Sequence, residues 1–326
     1  MRILVTGPTG KVGRRLIDRL LADPAWGHAR IRALCHNRTL PESERVEVVR
    51  GSIADRETAE RAIAGVSHVV HLATCKEMPE LVMDVTVKGL FWLLEAFRDS
   101  PTAQRFLLIG GDAGVGHFFY AHDGPLTERA PHMAYPGCYA LSKVLEEVML
   151  AQFGIQYGID WTCLRAPWIM EKDDFRYALS FGDDVFGGPV WKDLVPDAVA
   201  ARCRAEGTVP RLLDAEGVPL KRNFVHVDDL ASAIFAALDT PKAAKRLFNI
   251  CMDEPVDYGA LASYLARSRG LGAIDIPSGY RSNWMDNTAA KFALGWRPDY
   301  DMERLVEAAW AYERAPDDPR RIWYPG

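Results

Sequence analysis

Two residues spaced for acid–base chemistry stand near the middle of the 326-residue chain. Tyr139 and Lys143 are four positions apart in a helical pattern, so both side chains lie on one face of the helix. A tyrosine in a short peptide has a pKa of about 10, which is too high for efficient proton transfer at neutral pH. A neighbouring ammonium favours the phenolate. The spacing is therefore suited to an acid–base tyrosine, although chance also produces it on surface helices.

A glycine-rich turn near the N-terminus has the composition of a phosphate site. Its residues are Gly7, Pro8, Thr9, Gly10, Lys11, Val12 and Gly13, between a predicted strand and a predicted helix. Glycines let the backbone approach a pyrophosphate, whose charge is met by N–H groups at the helix N-terminus. A magnesium-binding P-loop is excluded because Val12 stands where that motif needs Ser or Thr, and because Gly7 is too close to Gly10. The turn predicts a dinucleotide site.

The composition narrows the class of protein. Apolar residues make up 48% of the chain and charged residues 25%, which is typical of a globular protein. A net charge of -5 provides no basic surface, so we expect no nucleic-acid partner. No apolar run reaches the roughly 18 residues of a membrane helix, so we expect no membrane partner. No signal peptide is visible, and the predicted location is cytoplasmic.

Neither the cysteines nor the histidines predict a metal site. The six cysteines are scattered and never approach CxxC spacing, which favours free thiols in a reducing compartment. The histidines His68, His71, His117, His122 and His132 form no ligand spacing, and buried or solvated histidine is the default interpretation. We expect no metal.

Strand and helix patterns alternate through the first half of the chain, which predicts a parallel sheet with crossover helices. The predicted strands are Arg2–Thr6, Ile31–Cys35, Val46–Val49, Val66–Leu72, Phe106–Ile109 and Trp161–Leu164. The predicted helices between them are Lys11–Leu21, Arg56–Ala64, Leu81–Arg98 and Tyr139–Phe153. Later segments add strands at Phe224–Val227 and Leu247–Ile250 and helices at Asp229–Leu238, Tyr258–Arg269, Ala289–Leu294 and Met302–Arg314. Residues 166–221 are irregular and rich in Gly, Pro, Asp and Trp, which indicates a pocket-forming region.

Taken together, the motifs resemble the extended branch of the short-chain dehydrogenase/reductase superfamily, the NAD-dependent epimerase/dehydratase family. The matching segments are the GxxGxxG turn, His71–Thr74, the Tyr139/Lys143 pair, Arg222–Leu230 and Leu294–Pro298. They span nearly the whole chain in the family's order. The resemblance implies an α/β fold, a Rossmann-like doubly wound parallel sheet with a smaller, mainly C-terminal substrate-binding lobe. We expect residues 1–165, with 222–250 returning to them, to form the NAD(P)-binding domain, and residues 166–221 and 251–326 to form the lobe.

The resemblance also assigns roles. Tyr139 exchanges the substrate's hydroxyl proton while a hydride moves to or from the nicotinamide, and Lys143 also holds the nicotinamide ribose. The implied cofactor-binding residues are Gly7, Pro8, Thr9, Gly10, Lys11, Val12, Gly13, His36, Arg38, Ser52, Ile53, Leu72, Ala73, Thr74, Tyr139 and Lys143.

The choice between NAD and NADP depends on the end of the second strand. NAD-binding folds usually place an acid there for the ribose 2′-hydroxyl, but residues 33–38 contain none, and Cys35 occupies that position. Arg38, His36 or Arg14 could pair with a 2′-phosphate. Alternatively, Arg38 is only a solvated loop cation. We expect NAD or NADP, with a slight preference for NADP.

One residue departs from the family pattern. The family places a catalytic Ser or Thr five positions before a glycine after the fifth strand, and counting back from Gly116 reaches Gly111. Thr74, Cys138 or an ordered water could supply the missing hydrogen bond. The family's dehydratases have Thr-Asp-Glu here, whereas this chain keeps Asp112 and has Ala113 for the glutamate. Dehydration is therefore disfavoured.

The substrate is expected to carry an anionic group. Arg222 falls where related enzymes bind a diphosphate, and a guanidinium suits phosphate or carboxylate. The other candidate substrate-binding residues are Gly111, Asp112, Trp168 and Arg281. The segment from Gly111 to Tyr120 is similar to the one in uronate dehydrogenases, which keeps sugar acids among the candidates.

The predicted function is an NAD(P)-dependent oxidoreductase or epimerase acting on a hydroxyl or keto group of a sugar, sugar acid or nucleotide sugar. The alternative is a non-catalytic NAD(P)-binding sensor or scaffold that has lost the catalytic Ser/Thr. Apolar residues on more than one face of Leu81–Arg98 and Tyr139–Phe153 predict a homodimer through a four-helix bundle.

Overall fold

A seven-stranded parallel sheet forms the centre of the computed structural model, which describes residues 1–182 and 189–318. The strands are β1 (Arg2–Thr6), β2 (Arg30–Cys35), β3 (Val46–Arg50), β4 (His68–His71), β5 (Arg105–Gly111), β6 (Trp161–Ala166), β7 (Trp168–Met170), β8 (Val209–Leu213), β9 (Lys221–Arg222), β10 (Phe224–His226), β11 (Arg246–Asn249), β12 (Val256–Asp257) and β13 (Ala273–Pro277). The sheet order is β11-β6-β5-β4-β1-β2-β3, and all its pairs are parallel. This confirms the predicted doubly wound α/β fold.

Helices connect these strands. They are α1 (Lys11–Ala22), α2 (Arg56–Ile63), α3 (Pro79–Val82), α4 (Gly89–Arg98), α5 (Cys138–Tyr157), α6 (Asp174–Tyr177), α7 (Asp197–Glu206), α8 (Val227–Asp239), α9 (Tyr258–Arg269), α10 (Thr288–Leu294) and α11 (Met302–Ala311). Local chemistry sets several of their ends. Asp55, for example, begins α2 by accepting a hydrogen bond from the Thr58 backbone N–H.

The helix predicted over Leu81–Arg98 is interrupted by a π-helical turn at Met83–Lys88. The buried Thr86 lies in this turn, and its hydroxyl accepts a hydrogen bond from the Cys75 backbone N–H at 2.9 Å. This contact with the loop after β4 depends on tertiary packing, so the helical periodicity of the sequence does not reveal the turn.

Apolar side chains pack on both faces of the sheet because successive strand residues point to opposite sides. One face is covered by α1 and α8, whose buried residues include Leu16, Ile17, Leu20, Leu230 and Ile234. The other is covered by α2, α4 and α5, through residues such as Ile63, Leu90, Leu94, Phe97 and Leu150. Each fully buried side chain of this kind stabilises the fold by about 1.5–3 kcal/mol.

A separate apolar cluster lies outside the sheet, and residues on α6, α9 and α11 contribute to it: Phe175, Leu261, Leu265, Leu305 and Val306. Residues 166–221 contribute β7, α6, α7 and β8, none of which joins the main sheet. The two-domain division remains a proposal, and residues 183–188 and 319–326 of the predicted lobe lie outside the described residues. Among the described residues, no helix is long and apolar enough to cross a membrane.

The strand order reverses between β1 and β4. In doubly wound sheets, ligands bind beyond the carboxyl ends of the strands at such a reversal, because the crossover helices on its two sides lie on opposite faces. The turn after β1, the loop after β4 and the segment after β5 meet there.

Candidate active site

A cavity of about 790 Å³ occupies this reversal point. All the residues predicted to bind the cofactor line it, from Gly7–Gly13 through Leu72–Thr74 to Tyr139 and Lys143. Asp112, Trp168 and Arg222 line it as well. The structure therefore brings the predicted acid–base pair, phosphate turn and most of the predicted substrate residues to one cavity.

The phosphate turn requires its glycines. Gly7 has a φ of +63°, and a Cβ there would lie 3.0 Å from the Ala73 backbone nitrogen. A Cβ on Gly13 would lie 2.4 Å from the Gly7 carbonyl oxygen, closer than real Cβ contacts. Helix α1 then begins at Lys11 without a side-chain cap. This tight turn at a helix N-terminus fits a dinucleotide's pyrophosphate.

Lys11 connects the phosphate turn to a distant segment. Its ammonium donates to the Ile169 carbonyl at 2.9 Å and pairs with the Asp174 carboxylate at 2.5 Å. Burial lowers the pKa of Lys11, while Asp174 acts in the opposite direction. Beyond its place in the turn, Lys11 therefore connects the turn to β7 and α6.

The end of β2 lies at the cavity, and no acidic residue lies in this stretch. Cys35 is buried, His36 is exposed and Arg38 is half-buried, and all three line the cavity. Ser52 lines the same end. The stretch from residue 33 to residue 38 therefore presents basic or neutral side chains where many NAD-binding folds present a carboxylate.

Tyr139 and Lys143 lie in the first two turns of α5, facing β5. The Lys143 ammonium is 5.6 Å from the centre of the Tyr139 ring and donates to the Ile109 carbonyl at 3.4 Å. Burial acts to lower the pKa of Lys143, but Glu146 and Tyr139 outweigh it, and the pKa is raised overall. A second ammonium, that of Lys76, lies 4.9 Å from the Tyr139 ring. Two ammonium groups therefore lie close to this ring.

Gly111 stands beside this pair. A Cβ on Gly111 would lie 3.6 Å from the Tyr139 hydroxyl oxygen and 3.5 Å from Cγ of Lys143, which are ordinary contacts. Of the suggested substitutes for the missing hydroxyl, Thr74 lines the cavity, while the Cys138 thiol donates to the Glu77 carboxylate at 3.3 Å. The site has room for a small side chain at position 111.

Another part of the cavity wall combines charge with aromatic rings. The Arg222 guanidinium is buried, with its carbon 3.9 Å from the centre of the Phe118 ring and 5.1 Å from that of Trp168. Burial lowers the pKa of Arg222. Phe119 stacks on Tyr135 at 4.4 Å, and burial raises the pKa of Tyr135. This wall can bind an anionic group and pack against the apolar face of a ligand.

Sequence reasoning missed several of these residues. His117 is buried and its Nδ1 lies 2.8 Å from the Asp112 carboxylate, and both line the cavity. The spacing of five positions across a turn is not a recognisable motif, although the similarity of residues 111–120 to a segment of uronate dehydrogenases did mark this part of the chain. Arg281 does not line the cavity: its half-exposed guanidinium pairs with Glu216. Its assignment to the substrate remains a prediction.

The sequence matches a known family and several curated proteins. Residues 3–170 match the sequence model of the NAD dependent epimerase/dehydratase family. A UDP-glucose 4-epimerase from Mycolicibacterium smegmatis is 27% identical over 91% of this chain and 94% of its own. A vestitone reductase from Medicago sativa is also 27% identical, over 52% of this chain and 59% of the enzyme.

Solved structures show the same fold. A short-chain dehydrogenase/reductase superfamily protein from Agrobacterium tumefaciens, with bound NAD, superposes with a TM-score of 0.78 at 24% identity, covering 95% of this chain and 96% of that one. A UDP-glucose 4-epimerase from Thermotoga maritima, with UDP-glucose, gives 0.72 at 21% identity, covering 95% and 98%.

Proposed function

The chain belongs to the NAD-dependent epimerase/dehydratase family, and we propose that it is an NAD(P)-dependent oxidoreductase or epimerase for a sugar, sugar acid or nucleotide sugar. The reacting group is a hydroxyl or its keto form. One observation carries the proposal: Tyr139 and Lys143 line the same cavity as the glycine-rich turn. An acid–base pair and a dinucleotide site that share a cavity suit hydroxyl oxidation and its reversal.

The residues have separate tasks in this proposal. A bound nicotinamide cofactor would supply the chemistry of hydride transfer. The Gly7–Gly13 turn holds its pyrophosphate, and Lys143 holds the nicotinamide ribose. Tyr139 takes the hydroxyl proton during oxidation and returns it during reduction, while the ammonium groups of Lys143 and Lys76 stabilise its charge.

The substrate is held at the aromatic end of the cavity. Arg222 pairs with an anionic group, since a buried guanidinium is costly unless a ligand or side chain balances its charge. Asp112 and His117 contact substrate hydroxyls. The buried methyl group of Ala113 cannot act as an acid, so dehydration is not part of the proposal.

The family is NAD-dependent. We propose that this protein binds NADP slightly more tightly than NAD. The support is the acid-free end of β2, where the half-buried Arg38 lines the cavity beside the exposed His36. A 2′-phosphate there meets no carboxylate from residues 33–38, and Arg38 can form a charge-assisted hydrogen bond with it.

The active unit in this proposal is a homodimer located in the cytoplasm. Large apolar side chains on α4 and α5 remain exposed, namely Phe91 (37%), Leu141 (51%), Val148 (42%) and Ile155 (74%). Apolar surface of this extent on two neighbouring helices favours pairing with a second copy. Light scattering that shows a stable monomer at micromolar concentration would contradict the dimer.

The second candidate is a non-catalytic NAD(P)-binding sensor or scaffold, which Gly111 favours. A screen over sugars, sugar acids and nucleotide sugars separates the two if it measures both cofactor reduction and formation of an epimeric product, because an epimerase returns its hydride and shows no net reduction. Tyr139→Phe is the matched control. Turnover that depends on Tyr139 supports the enzyme. Cofactor binding without turnover of any substrate class supports the sensor.

A further inference from the structure

A fully buried carboxylate lies against the acid–base lysine. The Lys143 ammonium and Oε2 of Glu146 are 2.8 Å apart, one helical turn along α5. The Lys143 side chain is 5% exposed and that of Glu146 is not exposed at all. Lys143 therefore meets the cavity as part of an ion pair rather than as a lone cation.

The other side of Glu146 faces β4. Its Oε1 lies 3.7 Å from Nε2 of the fully buried His71. Nδ1 of His71 is 2.9 Å from the Thr6 hydroxyl, which also accepts hydrogen bonds from the backbone N–H groups of Leu72 and Ala73. Since that oxygen already accepts two bonds, its own proton points to Nδ1, and the ring proton of His71 lies on Nε2, facing Glu146.

This path ends at the phosphate turn. Thr6 is the last residue of β1 and precedes Gly7, which packs tightly against the Ala73 backbone. Three buried side chains, those of Glu146, His71 and Thr6, thus lie in a row between Lys143 and the phosphate turn, and the 3.7 Å between His71 and Glu146 is a contact rather than a hydrogen bond.

An ammonium in this environment needs a counter-charge. Burial disfavours the charged form of a lysine and lowers its pKa by up to 3–5 units in fully buried cases. The pKa of Lys143 is nevertheless raised, because Glu146 and Tyr139 outweigh burial. The other titratable groups around the pair are His71 on β4, the buried Cys163 thiol on β6, and Lys76 above the Tyr139 ring.

We propose that Glu146 is a positioning residue that keeps the Lys143 ammonium charged and in place, with the buried His71 ring packed against the other side of its carboxylate. The inference rests on the proposed role of Lys143 in the acid–base pair. It adds a residue that touches neither substrate nor cofactor but sets the charge state of one that does.

The direct test is an NMR pH titration of the protein with isotope-labelled lysine side chains, with Lys143→Met identifying the Lys143 signal. In Glu146→Gln the amide keeps the shape and removes the charge, so the pKa of Lys143 should fall by at least about 1 unit. The matched control is Glu147→Gln, the same change at the next residue, whose carboxylate pairs with Arg165. In this control the pKa of Lys143 should equal that of the wild type.

Coincident Lys143 titrations in the wild type and Glu146→Gln would overturn the proposal, and so would an equal shift in the control. Neither substrate nor cofactor is used, so a failure here is distinct from a failure of the proposed function.

Stability measurements provide a second readout if Glu146→Gln folds poorly. Each single change, Glu146→Gln or Lys143→Met, leaves one buried charge without its partner, whereas the double variant leaves none. The double variant should therefore lose less stability than the sum of the single losses. Additive losses would overturn the proposal.

Discussion

The Glu147 carboxylate and the Arg165 guanidinium form two hydrogen bonds, of 3.0 and 2.7 Å, in the interior between α5 and β6. His132 approaches the same carboxylate at 3.1 Å. Helix α5 carries Tyr139 and Lys143 on its first turns, so this contact fixes the helix that presents the acid–base pair. Its loss should lower the stability of the fold.

Glu147→Gln should destabilise the fold by about 3–5 kcal/mol, the usual cost of removing one partner from a buried ion pair. Burial acts to raise the pKa of Glu147, but His132 and Arg165 lower it below its ordinary 4.5 overall. The contact therefore stabilises the fold above that pH and is lost as the pH falls through the folded-state pKa. Chemical denaturation across acidic pH should show this loss in the wild type and not in Glu147→Gln. A neutral-pH stability equal to the wild type would contradict the prediction.

Gly13→Ala should weaken cofactor binding by at least about tenfold, because the new Cβ would lie 2.4 Å from the Gly7 carbonyl oxygen and the turn would have to open. Gly124→Ala is the control, since a Cβ there has no atom within 4 Å among the described residues. Isothermal titration with NAD and NADP measures both. Equal affinities in the two variants would show that the turn does not hold the cofactor.

Arg38→Ala should narrow the difference between NADP and NAD affinities. One charge-assisted contact to a phosphate contributes about 1.5–3 kcal/mol, or about tenfold to a hundredfold in affinity. The change should weaken NADP binding and leave NAD binding almost unaltered. NAD binding at least as tightly as NADP in the wild type would refute the preference.

Gly111→Ser tests whether the space left by the family's missing Ser or Thr side chain is empty or is used by another group. The backbone at Gly111 is extended, and an added Cβ makes only ordinary contacts with Tyr139 and Lys143. The variant should therefore fold normally, and its kcat/KM should equal or exceed that of the wild type. A lower kcat/KM with unchanged stability would mean that substrate or another group fills this space.

The sequence predicted the parallel sheet well because strand and helix periodicities alternate clearly from Arg2 to Ala166. It also predicted the residues that line the cavity from Gly7 to Lys143. Each of them belongs to a short motif, and the motifs follow one another in the family's order. The connection between Lys11 and Asp174 spans 163 positions and depends on tertiary packing alone. The sequence does not distinguish His117 from an ordinary core histidine. Its contact with Asp112 depends on the conformation of the turn between the two residues, which the sequence pattern does not reveal.

The central claim is that Tyr139 transfers the substrate proton, and Tyr139→Phe tests it most directly. On a substrate found by the screen, kcat should fall by about 10²–10⁴-fold, because the phenol acts on the substrate proton. Cofactor affinity, measured by titration on the same preparation, should stay close to that of the wild type. Full turnover by Tyr139→Phe would contradict the account.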